Sequence, residues 1–363
     1  MGNPTEEMLF SRCGEIVALY GNLVPKNEPQ SPRETPVLSQ ESVDAMENLL
    51  LEAGLDVLDT NREYPSYLKS SENFYAFLEK IQHQEAAEQE VIALSDTGAL
   101  SYRLFSNREG TFKVYSASCT PAGRVSYWDV HEVLDWGLTD RGNFFYRVLP
   151  EGDKHYADYT RIHLEAPDLS LYDLTLKYLG PGSYIGSNLF LSDWEEGSWG
   201  DLSFNDLWDS LYYDSTGHIF APETCAYRGE QGCYLLPAEE FEGVVLPYFA
   251  IEPDTLRRLA HYDPESDGYP WYPIETNDYV FLSYYTIEPE VTACRENADG
   301  TLTLTVEALS TDLKLDCLFA HELTVRPLED GTFQYVRNRV TYQNKRYGLP
   351  FCAPRQTWDS AWS

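Results

Sequence analysis

Apolar residues return every three or four positions at the start of the chain. Leu9, Cys13, Ile16, Val17 and Tyr20 form one stripe, the spacing of a helix that buries one face. Thr5 stands where an N-cap belongs, Glu6 and Glu7 fall in the first turn, and Gly21 can end the helix. The segment after it carries Pro25, Pro29, Pro32 and Pro36 among polar residues and reads as an extended linker. Two further stripes predict helices. One is Val43, Met46, Leu49 and Leu50, closed by Gly54; the other is Phe74, Phe77, Leu78 and Ile81, capped by Ser70 or Ser71.

From Glu90 onward the period becomes two. Residues 91–94, 100–105, 111–117, 125–133 and 143–148 read as strands between Gly, Asp and Asn turns, and 159–164 with 171–179 as a further strand pair. Ser203 then caps a helix striped by Leu207, Trp208, Leu211 and Tyr212, with Asp206 in the position of a capping box. Pro237 starts a helix bearing Phe241, Val244 and Val245, which Pro247 ends or kinks. A short helix follows over about 253–261, acidic at its start and carrying Arg257 and Arg258 towards its end. Strands at 291–295, 301–309, 317–326 and 332–341 close the pattern, with hairpin turns at Asp299-Gly300 and Asp330-Gly331.

This order predicts an α+β fold with helices packed on curved antiparallel sheets. His131, Glu132, Leu138, Asp140, Gly142, Phe144 and Tyr146 coincide, with one insertion, with His321, Glu322, Leu328, Asp330, Gly331, Phe333 and Tyr335. Two tandem helix-then-sheet units would produce that likeness, and so would two unrelated hairpins of similar chemistry. The expected organisation is a helix and Pro-rich linker over 1–37, a first unit over 38–220 and a second over 221–363.

Composition narrows the functions. The 363 residues carry a formal net charge of −33, which repels a phosphate backbone and excludes nucleic acid as an expected partner. The same field argues against an anionic membrane surface. No apolar run reaches the length of a membrane-spanning helix, the densest being 244–251 with Pro247 inside it. No signal peptide is legible at the start, so the protein is cytoplasmic or its leader has been removed. Seven cysteines lack the paired spacing of a zinc site. Cys225 with Cys233, and Cys294 with Cys317, are candidate disulfides, with free thiols the alternative.

Candidate chemistry is sparse. Asp263, Glu265, Asp267 and Gly268 match the first half of a calcium loop, but position twelve is Ile274 and Glu275 comes one residue late. The loop reads first as a solvated turn after the helix, so no cofactor is expected, and Ca²⁺ is the alternative it leaves open. Trp194, Trp199 and Trp271, near Asp193, Glu195 and Glu196, would suit a sugar-binding surface or a hydrolase acid pair. The neighbours in His131-Glu132 and His321-Glu322 point to opposite faces of a strand, which suits structure better than a shared metal. His155, Asp158 and His163 lack a completing ligand, and residues 180–186 are glycine-rich without the lysine of a phosphate loop.

Residues 139–146, 187–194, 202–207 and 299–306, and most of all Leu323, Val325, Pro327, Asp330, Gly331, Phe333 and Tyr335 within 323–336, resemble a domain-of-unknown-function family of secreted lipoproteins from Gram-positive anaerobic gut bacteria. The likeness spans about 40–345. It implies an extracellular protein displayed at the cell surface by a lipid on its precursor, and it carries over no catalytic residue. The expectation is a non-enzymatic binding protein for a glycan or surface protein, touching membrane only through that lipid. The alternatives are a carbohydrate- or cell-wall-active hydrolase and an envelope structural protein.

Overall fold

The computed structural model describes residues 4–25, 37–60, 64–108, 110–148, 159–184, 186–228, 232–272 and 286–347. Two compact units divide the chain at 167/168. The division falls well before the expected 220/221, because the helical segments after 168 bury their apolar faces in the second core. The leading helix is likewise no separate piece, since its stripe is buried in the first unit.

In the first unit, α1 (Glu6–Tyr20) begins at Thr5, whose Oγ1 accepts from the Met8 amide at 3.3 Å. It is followed by α2 (Gln40–Glu52) and α3 (Glu72–Gln82). The strands are β1 (Val57–Asp59), β2 (Tyr67–Leu68), β3 (Ala87–Leu94), β4 (Leu100–Arg108), β5 (Thr111–Cys119), β6 (Val125–Leu138), β7 (Asn143–Val148) and β8 (Thr160–His163). They close into a barrel in the order β1-β2-β8-β7-β6-β5-β4-β3. Closure into a barrel corrects the expected curved sheet. Its cause is the short pair β1 and β2, too brief to show a period, which joins β3 on one side and β8 on the other through parallel pairing.

The inner face is identified by contacts across the barrel. Phe105 on β4 lies 5.8 Å from Phe144 and 5.2 Å from Tyr146, both on β7, three strands away. Phe74 of α3 enters this cluster, 5.6 Å from Phe105 and 5.1 Å from Phe144, so α3 fills one end of the barrel. The outer face of β3–β5, with Ile92, Tyr102, Tyr115 and Cys119, packs under α1 and α2. Arg12 of α1 holds Glu90 with two 2.8 Å hydrogen bonds, and Tyr102 donates to the same carboxylate at 2.8 Å.

In the second unit the elements are α4 (Leu169–Leu179), β9 (Trp194–Glu195), α5 (Phe204–Thr216), β10 (Ala226–Arg228), β11 (Cys233–Pro237), α6 (Ala238–Val245), α7 (Pro253–Leu259), β12 (Gly268–Trp271), β13 (Glu288–Glu296), β14 (Leu302–Ser310), β15 (Leu315–Pro327) and β16 (Phe333–Gln343). They form a three-stranded sheet, β10-β11-β12, and a five-stranded one, β13-β14-β15-β16-β9. One core joins both sheets to the helices.

Residues 171–179 form helix α4, not the expected strand. Leucines at 169, 171, 174 and 176 mimic alternation, but Asp168 caps a helix by accepting from the amides of Ser170 and Leu171. Helical winding then buries Thr175, Tyr178 and Leu179 and leaves Leu169 and Leu176 exposed. The repeated motif corresponds to two hairpins with one turn geometry. Thr139 N donates to Asn143 O at 3.0 Å and Leu328 N to Thr332 O at 2.9 Å, with Gly142 at φ +73° and Gly331 at φ +88°.

Candidate functional site

The three tryptophans singled out by sequence are core residues. Trp194, Trp199 and Trp271 keep 3%, 6% and 6% of their surface, which leaves no ring face for a sugar. Trp194 and Trp199 stack on each other at 6.0 Å, and the indole N–H groups of Trp194 and Trp271 donate to Leu189 O and Asp209 Oδ1. Their apolar bulk, rather than their nearness to acids, decides their place.

The acids of the candidate calcium loop do not converge. Asp263 is paired with Arg228 and accepts the Glu265 amide at 3.0 Å, while Asp267 accepts from the Tyr262 hydroxyl at 2.7 Å. Glu265 is exposed, and Ile274 and Glu275 lie outside the described residues. Among the described residues no group of three His, Cys, Asp or Glu side chains is placed to hold a metal. Neither candidate disulfide forms, and Cys225, Cys233, Cys294 and Cys317 are free thiols. Arg228, not Cys225, faces Cys233 across the β10–β11 ladder, and the whole of β14 separates Cys294 from β15. His155 and Asp158 lie outside the described residues.

The adjacent His-Glu pairs split to opposite faces as strand geometry requires. His321 is fully buried, with Nε2 2.7 Å from the Tyr184 hydroxyl and Nδ1 2.6 Å from Asn338 Oδ1, whereas Glu322 reaches out to 3.9 Å from Arg337. Asn338 Nδ2 donates to Ser192 O at 2.8 Å, so its oxygen faces the ring and His321 carries its proton on Nδ1. Burial holds the imidazole pKa down at about 4. This is a structural network, closed to solvent.

An open site lies at the barrel end away from α3. Residues facing each other across the ladders share the inner face. Beyond the Phe105–Val114 layer come Arg103 and Ser116, then Ser101 and Ser118. On β3, Val91 and Ala93 face Arg103 and Ser101. Small side chains at 93, 101 and 118 leave the end unfilled, and a cleft of about 650 Å³ opens there. Arg103 projects into it. Leu58 and Thr60 of the β1 edge line one side, and Val37, Leu38 and Val43 another, with Leu38 anchored by its amide to Asp96 O at 2.7 Å.

The polar face continues onto β6, where Asp129 lies opposite Ser116 and Tyr127 opposite Ser118. Asp129 Oδ2 accepts from the Tyr127 hydroxyl and lies 2.9 Å from His131 Nε2. The guanidinium of Arg103 makes no ion pair or side-chain hydrogen bond among the described residues, and neither do the hydroxyls of Ser101, Ser116 and Ser118. The arrangement can receive a compact ligand by donating hydrogen bonds to it. Sequence reading missed it because alternating polar positions on 100–105 look the same whether that face meets bulk water or a barrel interior.

No curated protein and no solved structure matches the chain. Residues 6–350, nearly the whole chain and both units, match the profile of a family of unknown function, DUF6070, and the protein belongs to that family.

Proposed function

We propose that this is a binding protein whose recognition site is the open end of the N-terminal barrel. The observation that carries the reading is the cleft of about 650 Å³ into which Arg103 projects without an acid partner among the described residues. A cleft of this volume, apolar on two sides with a few convergent polar groups, is the usual form of a small-molecule site. The groups that line it donate and accept hydrogen bonds, which suits holding a ligand without transforming it. With the aromatic candidates buried, a compact molecule fits better than a polysaccharide strip. The resemblance to secreted lipoproteins supports an extracellular location, with display at the cell surface through a lipid on the precursor.

Saturation-transfer NMR with a library of small organic molecules tests the site. Ala93→Trp, which fills the cleft, serves as the control. Hits whose signal disappears in Ala93→Trp are expected; hits that persist, or no hits at all, would remove the proposal. Protease accessibility of the protein on intact producing cells tests its display, and full protection would place it elsewhere.

A further inference from the structure

The chemistry around Arg103 selects one class of ligand. We propose that the barrel end binds a small amphipathic monocarboxylate, with Arg103 as its counter-ion; this rests on the cleft being a binding site. Acids outnumber bases 59 to 26 in this chain, so a cation has many carboxylates to choose from. Arg12 takes Glu90, Arg108 takes Glu88 and Lys69 takes Glu47. Arg103 is half-buried on the inner face and takes none among the described residues. A guanidinium partly withdrawn from water favours an anion that presents two oxygens to its fork of donors. Ser101, Ser116 and Ser118 sit beside it on the same face and can supply further donors to such a head group.

The walls set the rest of the ligand. Leu38, Val43 and Leu58 flank the cleft and suit an alkyl or aryl body, while Ala93, opposite Ser101, adds only a methyl group to the lining. Charge sets the head at one negative unit. Asp96 also lines the cleft, and the field of a −33 chain opposes a phosphate dianion more strongly than a carboxylate.

Calorimetric titration of the full chain with octanoate, octanol and octylamine tests this. Octanoate is expected to bind, octanol about 10-fold or more weakly, and octylamine not at all, since a hydrogen bond to a charged group contributes about 1.5–3 kcal/mol. Arg103→Gln is expected to reduce octanoate binding to the level of octanol. Arg103→Lys, which keeps the charge but not the fork, should lie between. Thermal melting of both variants without ligand checks that they fold. Octanol binding as tightly as octanoate, with Arg103→Gln indifferent between them, would overturn the carboxylate assignment and leave the binding site standing. Absence of binding by all three probes, together with an empty small-molecule screen, would overturn both.

Discussion

Replacing Lys69 with methionine tests the electrostatics that fasten α2 to the barrel. Glu47 lies on the buried face of α2 with 1% of its side chain exposed, and Lys69 Nζ stands 2.7 Å from its Oε2. Neither Glu47 oxygen receives an aligned hydrogen bond among the described residues, so the contact is ionic. Asp59 at 3.1 Å and Asp44 at 4.0 Å complete the shell of the ammonium. Burial pushes the Glu47 carboxyl above its ordinary range, against the pull of Lys69. Burial also works to lower the Lys69 pKa, but Glu47 and Asp59 outweigh it and keep the ammonium charged.

Lys69→Met strands a buried charge, for which the loss is about 3–5 kcal/mol, a large part of a domain's stability. Glu47→Leu is expected to change stability by less than about 1 kcal/mol, because Lys69 retains Asp59. The double variant should recover most of the loss. The sign with pH follows from linkage. A carboxyl whose folded pKa is raised favours folding below its unfolded value, and that contribution disappears as pH rises through the folded value. The Lys69→Met defect should therefore be largest at pH 8 and shrink on acidification, as Glu47 takes up a proton. Urea unfolding of the intact chain at pH 8 and pH 5, read on the transition that the variant shifts, gives the comparison. Equal losses for Lys69→Met and Glu47→Leu, or a loss that does not change with pH, would refute the reasoning.

Burial of neutral His321, at a pKa of about 4 against 6.5, means that the unfolded chain binds the proton more readily. Stability is then fully present above pH 6.5 and falls by about 3 kcal/mol as pH drops towards 4; His321→Gln should lose this slope, and an unchanged acid limb would count against it. Millimolar Ca²⁺ or a chelator should leave the melting temperature unchanged, because Asp263 and Asp267 are engaged by Arg228 and Tyr262; a clear rise with Ca²⁺ would restore the calcium loop. A Cβ at Gly268 would stand 2.6 Å from Leu236 O in the β11–β12 ladder, whereas one at Gly243 in α6 meets nothing within 4 Å. Gly268→Ala should therefore lower stability by about 1–3 kcal/mol and Gly243→Ala raise it by up to about 1 kcal/mol, as measured by thermal melting.

Helices with a clear apolar stripe were legible along the sequence, α1, α3 and α6 among them, as were the long strands of both units. Two features escaped for definite reasons. Leucines spaced by two disguised α4 as a strand, and only the cap at Asp168 pointed to helix. Barrel closure depends on three-residue β1 and two-residue β2, whose pairing with β3 and β8 is set by tertiary contacts rather than local preference. The site was hidden with it. Arg103, Ser101 and Ser118 read as the wet face of an ordinary strand until closure turns that face inward. The conspicuous residues misled for the opposite reason, since large aromatic side chains such as Trp194 and Trp271 are drawn first into the core.

The most direct test of the central claim is to map where a ligand lands. Amide chemical shifts of the ¹⁵N-labelled chain, recorded while octanoate is added, should move at Ala93, Ser101, Arg103 and Ser118, at the barrel end away from α3. Shifts confined to residues after 168, or no shifts at any concentration, would contradict a binding site at the open end of the barrel.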